Sequence, residues 1–230
     1  MSIRNDQLGR IQQQFRRQAL AYERLASVTD AAALGRLVAV SDARANDRVL
    51  DVACGPAFLT MTFAERCAAV VGVDGTDVFL DHARALARER GLENLRFVLG
   101  DVARLPLAGE SFDVCSCRAA FHHFPRPDVV LREMVRVTRP GGKLAILEFS
   151  QPRGWLIGRL YRFYFRWILP LIGQTISRSK DNAYRYLPAS VLEFPDGDAL
   201  ARRLESHGLC DVRWHPLTFG IATLYVGTKP

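Results

Sequence analysis

Three aspartates and a pair of histidines are the residues whose types and placement could do chemistry. Asp51 lies in the apolar run Val49-Leu50-Asp51-Val52, Asp74 closes the run 68–73, and Asp101 follows the run 95–99 after one glycine. Carboxylates are seldom buried without a partner, so three of them at the ends of successive strands point to a polar, cationic or hydroxyl-rich ligand. Asp74 stands 19 residues after Gly55, a distance at which an acidic side chain accepts the hydroxyls of a bound ribose. His122 and His123 come just past a fourth apolar run, 112–117. An imidazole with an ordinary pKa of about 6.5 is suited to take a proton from a ring hydroxyl. Adjacent histidines also serve simply to pack or cap a loop, and the two side chains of such a pair can diverge.

Elements of a definite kind must position these groups. Around Asp51 the chain reads as a buried strand, a turn at Gly55-Pro56, and a helix over 60–67. That arrangement places a ligand at the C-terminal edge of a parallel sheet, against the start of a helix. As a dinucleotide loop of the G-x-G-x-x-G kind the turn fails, because Ala53 and Ala57 flank a lone Gly55. Helices are expected over 5–40, where Ile11, Phe15, Ala19, Tyr22 and Leu25 recur at helical spacing, and over 77–91, 129–137 and 198–207. Further strands are expected over 143–149, 210–216 and 219–228, with Pro140-Gly141-Gly142 as the break before the first of them. Strands alternating with helices predict one α/β domain, a Rossmann-like, doubly wound and mostly parallel sheet over residues 1–230.

In order and at matching spacing, Val49-Leu-Asp-Val-Ala-Cys-Gly-Pro56, Val71-Gly-Val-Asp74, Gly100-Asp-Val-Ala-Arg-Leu-Pro106, Phe112-Asp113 and Arg136-Val-Thr-Arg-Pro-Gly-Gly142 resemble the class I S-adenosylmethionine-dependent methyltransferases. The resemblance implies S-adenosylmethionine as cofactor. It implies that Asp51 and the turn Ala53, Cys54 and Gly55 flank the methionine moiety, that Asp74 beside Gly75 holds the ribose, and that Asp101 with the Val102 amide holds the adenine. It places Arg118 in the same pocket. Ala57 stands where a third small residue is usually glycine, adding a methyl where backbone meets cofactor.

From Leu147 onward the chain is similar to the ubiquinone/menaquinone biosynthesis C-methyltransferases, through Glu148-Phe-Ser-Gln-Pro152, Leu169-Pro-Leu-Ile-Gly173, Ala183-Tyr-Arg-Tyr-Leu187, Phe194-Pro195 and Leu217-Thr-Phe-Gly-Ile221. This implies a quinone or phenolic ring as acceptor and methylation at carbon. A helical lid over 1–40, carrying Phe15 and Tyr22, and a helical aromatic and basic cap over 150–190, carrying Tyr184 and Tyr186, would bind the substrate. All four aromatics could equally be packing residues. Ala119-Ala-Phe-His-His123 departs from the Phe-Gly-x-Arg-Asn that those enzymes carry there, so His122 and His123 become the candidate bases. The alternative is an O- or N-methyltransferase of a soluble secondary metabolite; a cofactor-binding module without transfer activity is a third reading, disfavoured by the retained Asp74 and Asp101.

The net charge of +7 is local. Arg153, Arg159, Arg162, Arg166, Arg178 and Lys180 lie in a stretch without an acidic residue, interleaved with aromatics. An aromatic, basic, amphipathic segment suits a membrane surface, and as a cap helix it would equally suit an outer face solvated by arginine. Nucleic acid is disfavoured as a partner, since no Asn/Asp-Pro-Pro-aromatic tetrad follows the fourth strand. No uncharged apolar stretch of 18 residues and no apolar leader is evident, and the five cysteines read as reduced thiols. Cys115 and Cys117 share one strand face but lack further ligands at metal-site spacing, so no metal is expected. A cytoplasmic protein, peripheral to the membrane, is the reading; oligomeric state is open, with a homodimer as the candidate.

Overall fold

The computed structural model describes residues 31–163 and 194–230. Helix α1 (Ala31–Val40) leads into β1 (Arg48–Val52), α2 (Phe58–Ala64), β2 (Ala69–Asp74), α3 (Asp77–Glu89), β3 (Leu95–Leu99) and β4 (Phe112–Arg118). A single 3₁₀ turn (Phe121–His123) then precedes α4 (Pro127–Val137), β5 (Thr138–Phe149) and α5 (Trp155–Phe163). After the undescribed stretch come α6 (Asp198–Ser206), β6 (Cys210–Leu217), a 3₁₀ turn (Thr218–Gly220) and β7 (Ala222–Thr228).

The seven strands form one sheet in the order β3-β2-β1-β4-β5-β7-β6. The strands from β3 to β5 are parallel; β7 runs antiparallel to both β5 and β6. Strand order reverses between β1 and β4, which is where an open α/β sheet leaves a crevice at its C-terminal edge.

Period-two alternation along the strands decides which side chains meet which helices. Leu50, Val52, Cys115, Cys117, Leu144 and Ile146 share a core with Val130, Leu131 and Met134 of α4 and Leu200 and Leu204 of α6. Val49, Val70 and Val114 point the other way, onto Leu34, Leu37 and Val38 of α1 and Leu59 and Phe63 of α2. Residues 31–40, read from sequence with the N-terminal lid, therefore pack on the sheet beside α2.

Several boundaries differ from the sequence reading. Helix α2 begins at Phe58 and ends at Ala64, because Ala57 in the left-handed conformation starts it directly after the turn. The expected break at 139–142 lies within β5 as an irregularity, with Phe112 opposite Thr138 and Val114 opposite Lys143. A β-carbon at Gly142 would come within 2.7 Å of the Thr138 methyl and 2.9 Å of the Asp113 carbonyl, so glycine is required by close approach. Strand β7 starts at Ala222 rather than 219, since Phe219 itself has φ 58°. Among the described residues no helix is long and apolar enough to cross a membrane, and no cluster of three His, Cys, Asp or Glu side chains could hold a metal ion.

Candidate active site

The β1–α2 turn is built from three left-handed residues, Ala53 (φ 55°), Gly55 (φ 54°) and Ala57 (φ 64°). Small side chains are selected here by backbone conformation, and each alanine costs about 1–2 kcal/mol against a right-handed placement. A β-carbon on Gly55 would meet no atom within 4 Å, so the turn presents bare backbone to open space. Ala57 corrects an expectation. Its methyl is fully buried with Met61, Ala83 and Ala87, between α2 and α3, and so faces the core and not a ligand.

Asp51 projects from the α2 side of the sheet and is only 2% exposed. Its carboxylate accepts hydrogen bonds from the Thr60 hydroxyl at 2.7 Å and the Ser116 hydroxyl at 2.8 Å. The β1–β4 register puts Ser116 directly opposite Asp51. Burial nevertheless pushes the Asp51 carboxyl up to about 6, against those hydrogen bonds and the nearby Arg118 charge.

Asp74 ends β2 and ties two turns together. One carboxylate oxygen accepts the Gly55 N–H at 2.9 Å and the other the Thr76 N–H at 2.8 Å. Burial raises its pKa too, opposed by those backbone donors. Cys54 is held beside it through its N–H to the Val73 carbonyl, and burial pushes its thiol well up. Asp101 turns its own loop by accepting the Ala103 N–H at 2.8 Å.

These residues share one cleft that is open to solvent. Every expected cofactor-binding residue lines it: Asp51, Ala53, Cys54, Gly55, Asp74, Gly75, Asp101, Val102 and Arg118. Thr76, Phe79 and Phe124 line it as well, and sequence reasoning did not single them out. Two buried carboxylates beside bare backbone suit a ligand that carries positive charge and hydroxyl groups, which fits S-adenosylmethionine.

The two histidines occupy different places. His123 lines the cleft. Burial and the neighbouring His122 push its pKa down to about 3, which favours the neutral ring in the ligand-free cleft. The His122 side chain is 1% exposed, lies against the His123 ring with centroids 3.9 Å apart and planes tilted by 45°, and meets Phe149 edge-on. Its Nδ1 is 2.8 Å from Glu148 Oε2, while its Nε2 is buried with no hydrogen-bond partner among the described residues. Sequence reasoning gave Glu148 no role. The available signal was an acidic residue in register with Leu144 and Ile146, on the buried face of β5. Phe15, Tyr22, Tyr184 and Tyr186 lie outside the described residues.

The chain resembles known proteins along most of its length. Residues 30–229 match the ubiE/COQ5 methyltransferase family. The demethylmenaquinone methyltransferase of Deinococcus radiodurans is 42% identical over 184 residues, covering 79% of this chain and 75% of that protein. Its counterpart from Thermus thermophilus is 40% identical, covering 80% and 83%. In fold alone, the chain is similar to a SAM dependent methyltransferase from Aquifex aeolicus, with TM-score 0.64 and 16% identity over 86% of this chain and 89% of that one. The cyclase SpnF has the same fold, with TM-score 0.70 and 17% identity over 95% and 96% of the two chains. Sequence motifs, cleft and relatives agree: the chain belongs to the ubiE/COQ5 methyltransferase family and is an S-adenosylmethionine-dependent methyltransferase.

Proposed function

We propose that this enzyme methylates a ring carbon of a quinol bearing a hydrophobic tail, of the demethylmenaquinol type. The observation that carries the reading is the match to demethylmenaquinone methyltransferases over about four fifths of the chain at 40% identity or more. It favours the quinone over a soluble secondary metabolite and carbon over oxygen or nitrogen.

S-adenosylmethionine supplies an electrophilic methyl group on a sulfonium. In the proposed site Asp51 faces the cationic end of that cofactor, and Asp74 offers its remaining lone pairs to the ribose hydroxyls while Gly55 and Thr76 hold it in place. Asp101 and the Val102 amide take the adenine, with Gly75, Cys54, Ala53 and Arg118 completing the walls. The chain's task is to align the acceptor carbon with the methyl and to exclude water, which is worth several kcal/mol of the barrier. A quinol carbon is a good nucleophile only as its hydroxyl loses a proton, so an imidazole of the His122–His123 pair would receive it. Phe15, Tyr22, Tyr184 and Tyr186 are proposed to enclose the ring from the lid and cap.

The hydrophobic tail would reach a bilayer. Trp155 is 75% exposed and Phe219 82%, while Arg159 lies over the Trp155 ring at 5.6 Å and Arg153 over Trp214 at 4.8 Å. Exposed aromatics beside arginines support a peripheral position on the cytoplasmic membrane surface.

The test is incubation of the purified enzyme with methyl-labelled S-adenosylmethionine and demethylmenaquinol. The expected product carries one labelled methyl on a ring carbon, located by tandem mass spectrometry. Label on oxygen, or no transfer to this acceptor, would overturn the reading.

A further inference from the structure

The carboxylate of Glu148 is surrounded by N–H groups. Oε1 accepts the Phe121 N–H at 2.7 Å, Oε2 accepts the Phe149 N–H at 3.1 Å, and Oε2 also lies 2.8 Å from His122 Nδ1. The residue is 1% exposed. Of these neighbours only the imidazole has a choice of where its proton sits. A buried carboxylate is an acceptor, so the stable arrangement puts the imidazole proton on Nδ1. Nε2 is then a bare acceptor, and it is buried without a donor among the described residues. A buried acceptor left unmatched is costly and calls for an explanation; what sets Nε2 apart is that the opposite nitrogen of the same ring is held by a buried carboxylate.

We propose that Glu148 is a positioning residue for the transfer reaction: it fixes His122 as the Nδ1–H tautomer, keeps Nε2 available, and pins the Phe121–His123 turn that sets His123 in the cleft wall. This rests on the quinol reading above, which supplies the hydroxyl proton. The step it serves is one proton transfer. The ring O–H bond breaks, an N–H bond forms at His122 Nε2, and the oxygen keeps the electron pair that activates the adjacent carbon. The resulting imidazolium is paired with the Glu148 carboxylate through Nδ1–H. His123 lines the cleft and its ring lies 3.9 Å from that of His122, which does not line it, so the proposed transfer requires the His123 ring to give way as the acceptor enters. A carboxylate that orients an imidazole in this way need not gain a proton itself.

Nitrogen-15 spectra of histidine-labelled enzyme test the tautomer without any turnover. The five histidines give separate ring signals, and those lost in His122→Gln belong to His122. A neutral Nδ1–H form for that ring in the wild-type enzyme is the expected result; a neutral Nε2–H form overturns the proposal. In Glu148→Gln the tautomer preference should be lost and turnover at saturating cofactor and quinol should fall by about 10²-fold. Cofactor affinity should be unchanged, and Glu148→Asp should recover part of the rate. If Glu148→Gln does not fold, the wild-type spectrum and Glu148→Asp decide. Normal turnover in Glu148→Gln overturns the proposal, as does equal loss in the Asp and Gln variants. A wild-type enzyme that shows the tautomer but methylates no quinol would sink the substrate reading while leaving the positioning of His122 intact.

Discussion

Two buried carboxylates, Asp74 and Glu148, each pin a turn at the C-terminal edge of the sheet, and they do so to different ends. Asp74 spends one oxygen on the Gly55 N–H and the other on the Thr76 N–H, with the Thr76 hydroxyl as a further donor, so its partners are groups that do not change protonation near neutral pH. Glu148 takes two backbone N–H groups and an imidazole, and the imidazole has a second nitrogen to offer. The first device makes a rigid cradle. The second makes a rigid mount for a group that can move a proton. They project from opposite faces of the sheet. Asp51, near the first device, points toward α2, whereas Glu148 follows Leu144 and Ile146 on the α4 and α6 side.

The largest effect expected from breaking this contrast is on rate. His122→Gln should lower turnover by about 10²–10⁴-fold and leave cofactor affinity intact, because a general base acts on the chemical step alone. His123→Gln should cost less. With its pKa held near 3, His123 stays neutral above about pH 5, so it would contribute no acid limb there. A fall in turnover of the His123→Gln variant between pH 7 and 5 matching that of the wild type would confirm that the limb arises elsewhere; its disappearance would contradict this.

Asp51 sharpens the cradle side. Its carboxyl titrates at 3.8 in an open chain and about 6 when folded, so the folded state holds more protons between those values. Stability of the ligand-free enzyme should therefore fall as pH rises through that window, by up to about 3 kcal/mol, and level off above it. Asp74, raised by burial as well, acts in the same direction. Asp51→Asn should remove most of the decline in urea unfolding and weaken binding of the cationic cofactor. Conversely, wild-type cofactor affinity should improve as pH rises past about 6. A pH-independent affinity would separate Asp51 from the cation.

Asp74→Ala should weaken cofactor binding by roughly 1.5–3 kcal/mol, the range for hydrogen bonds to a charged group. Part of that loss comes from freeing the Gly55 turn, so titration calorimetry on Asp74→Asn, which can keep one backbone partner, should show a smaller deficit. Equal affinity in all three proteins would place the ribose elsewhere.

The smallest effect concerns the outer surface. Anionic vesicles should sediment the enzyme more than neutral ones, with binding weakening past about 0.15 M salt as screening shortens to about 8 Å. Replacing Arg153 and Arg159 by Gln should reduce it modestly. Indifference to lipid charge would leave the exposed aromatics without a membrane role.

Much of the cradle was legible in the chain itself. Asp51, Gly55, Asp74 and Asp101 are local to single strand ends, and a run of β-residues followed by a turn places such groups at one sheet edge whatever the distant packing does. The charge and aromatic content of 150–163 is equally local. Other features depended on contacts across the sheet. Ala57 looked like a ligand-facing methyl until its left-handed φ and the approach of α3 turned it into core. The β5 boundary depended on pairing with β4, which drew a Pro-Gly-Gly sequence into the strand. His122 and His123 are neighbours of one residue type, and nothing in their sequence distinguishes them. Glu148, 26 residues away, does so: β4 and β5 lie side by side, and the turn after β4 folds back over the end of β5. Sequence alone thus determined the strand-end chemistry and the family. Tertiary structure alone decided which imidazole is buried against a carboxylate, because burial and charge proximity are properties of the assembled sheet.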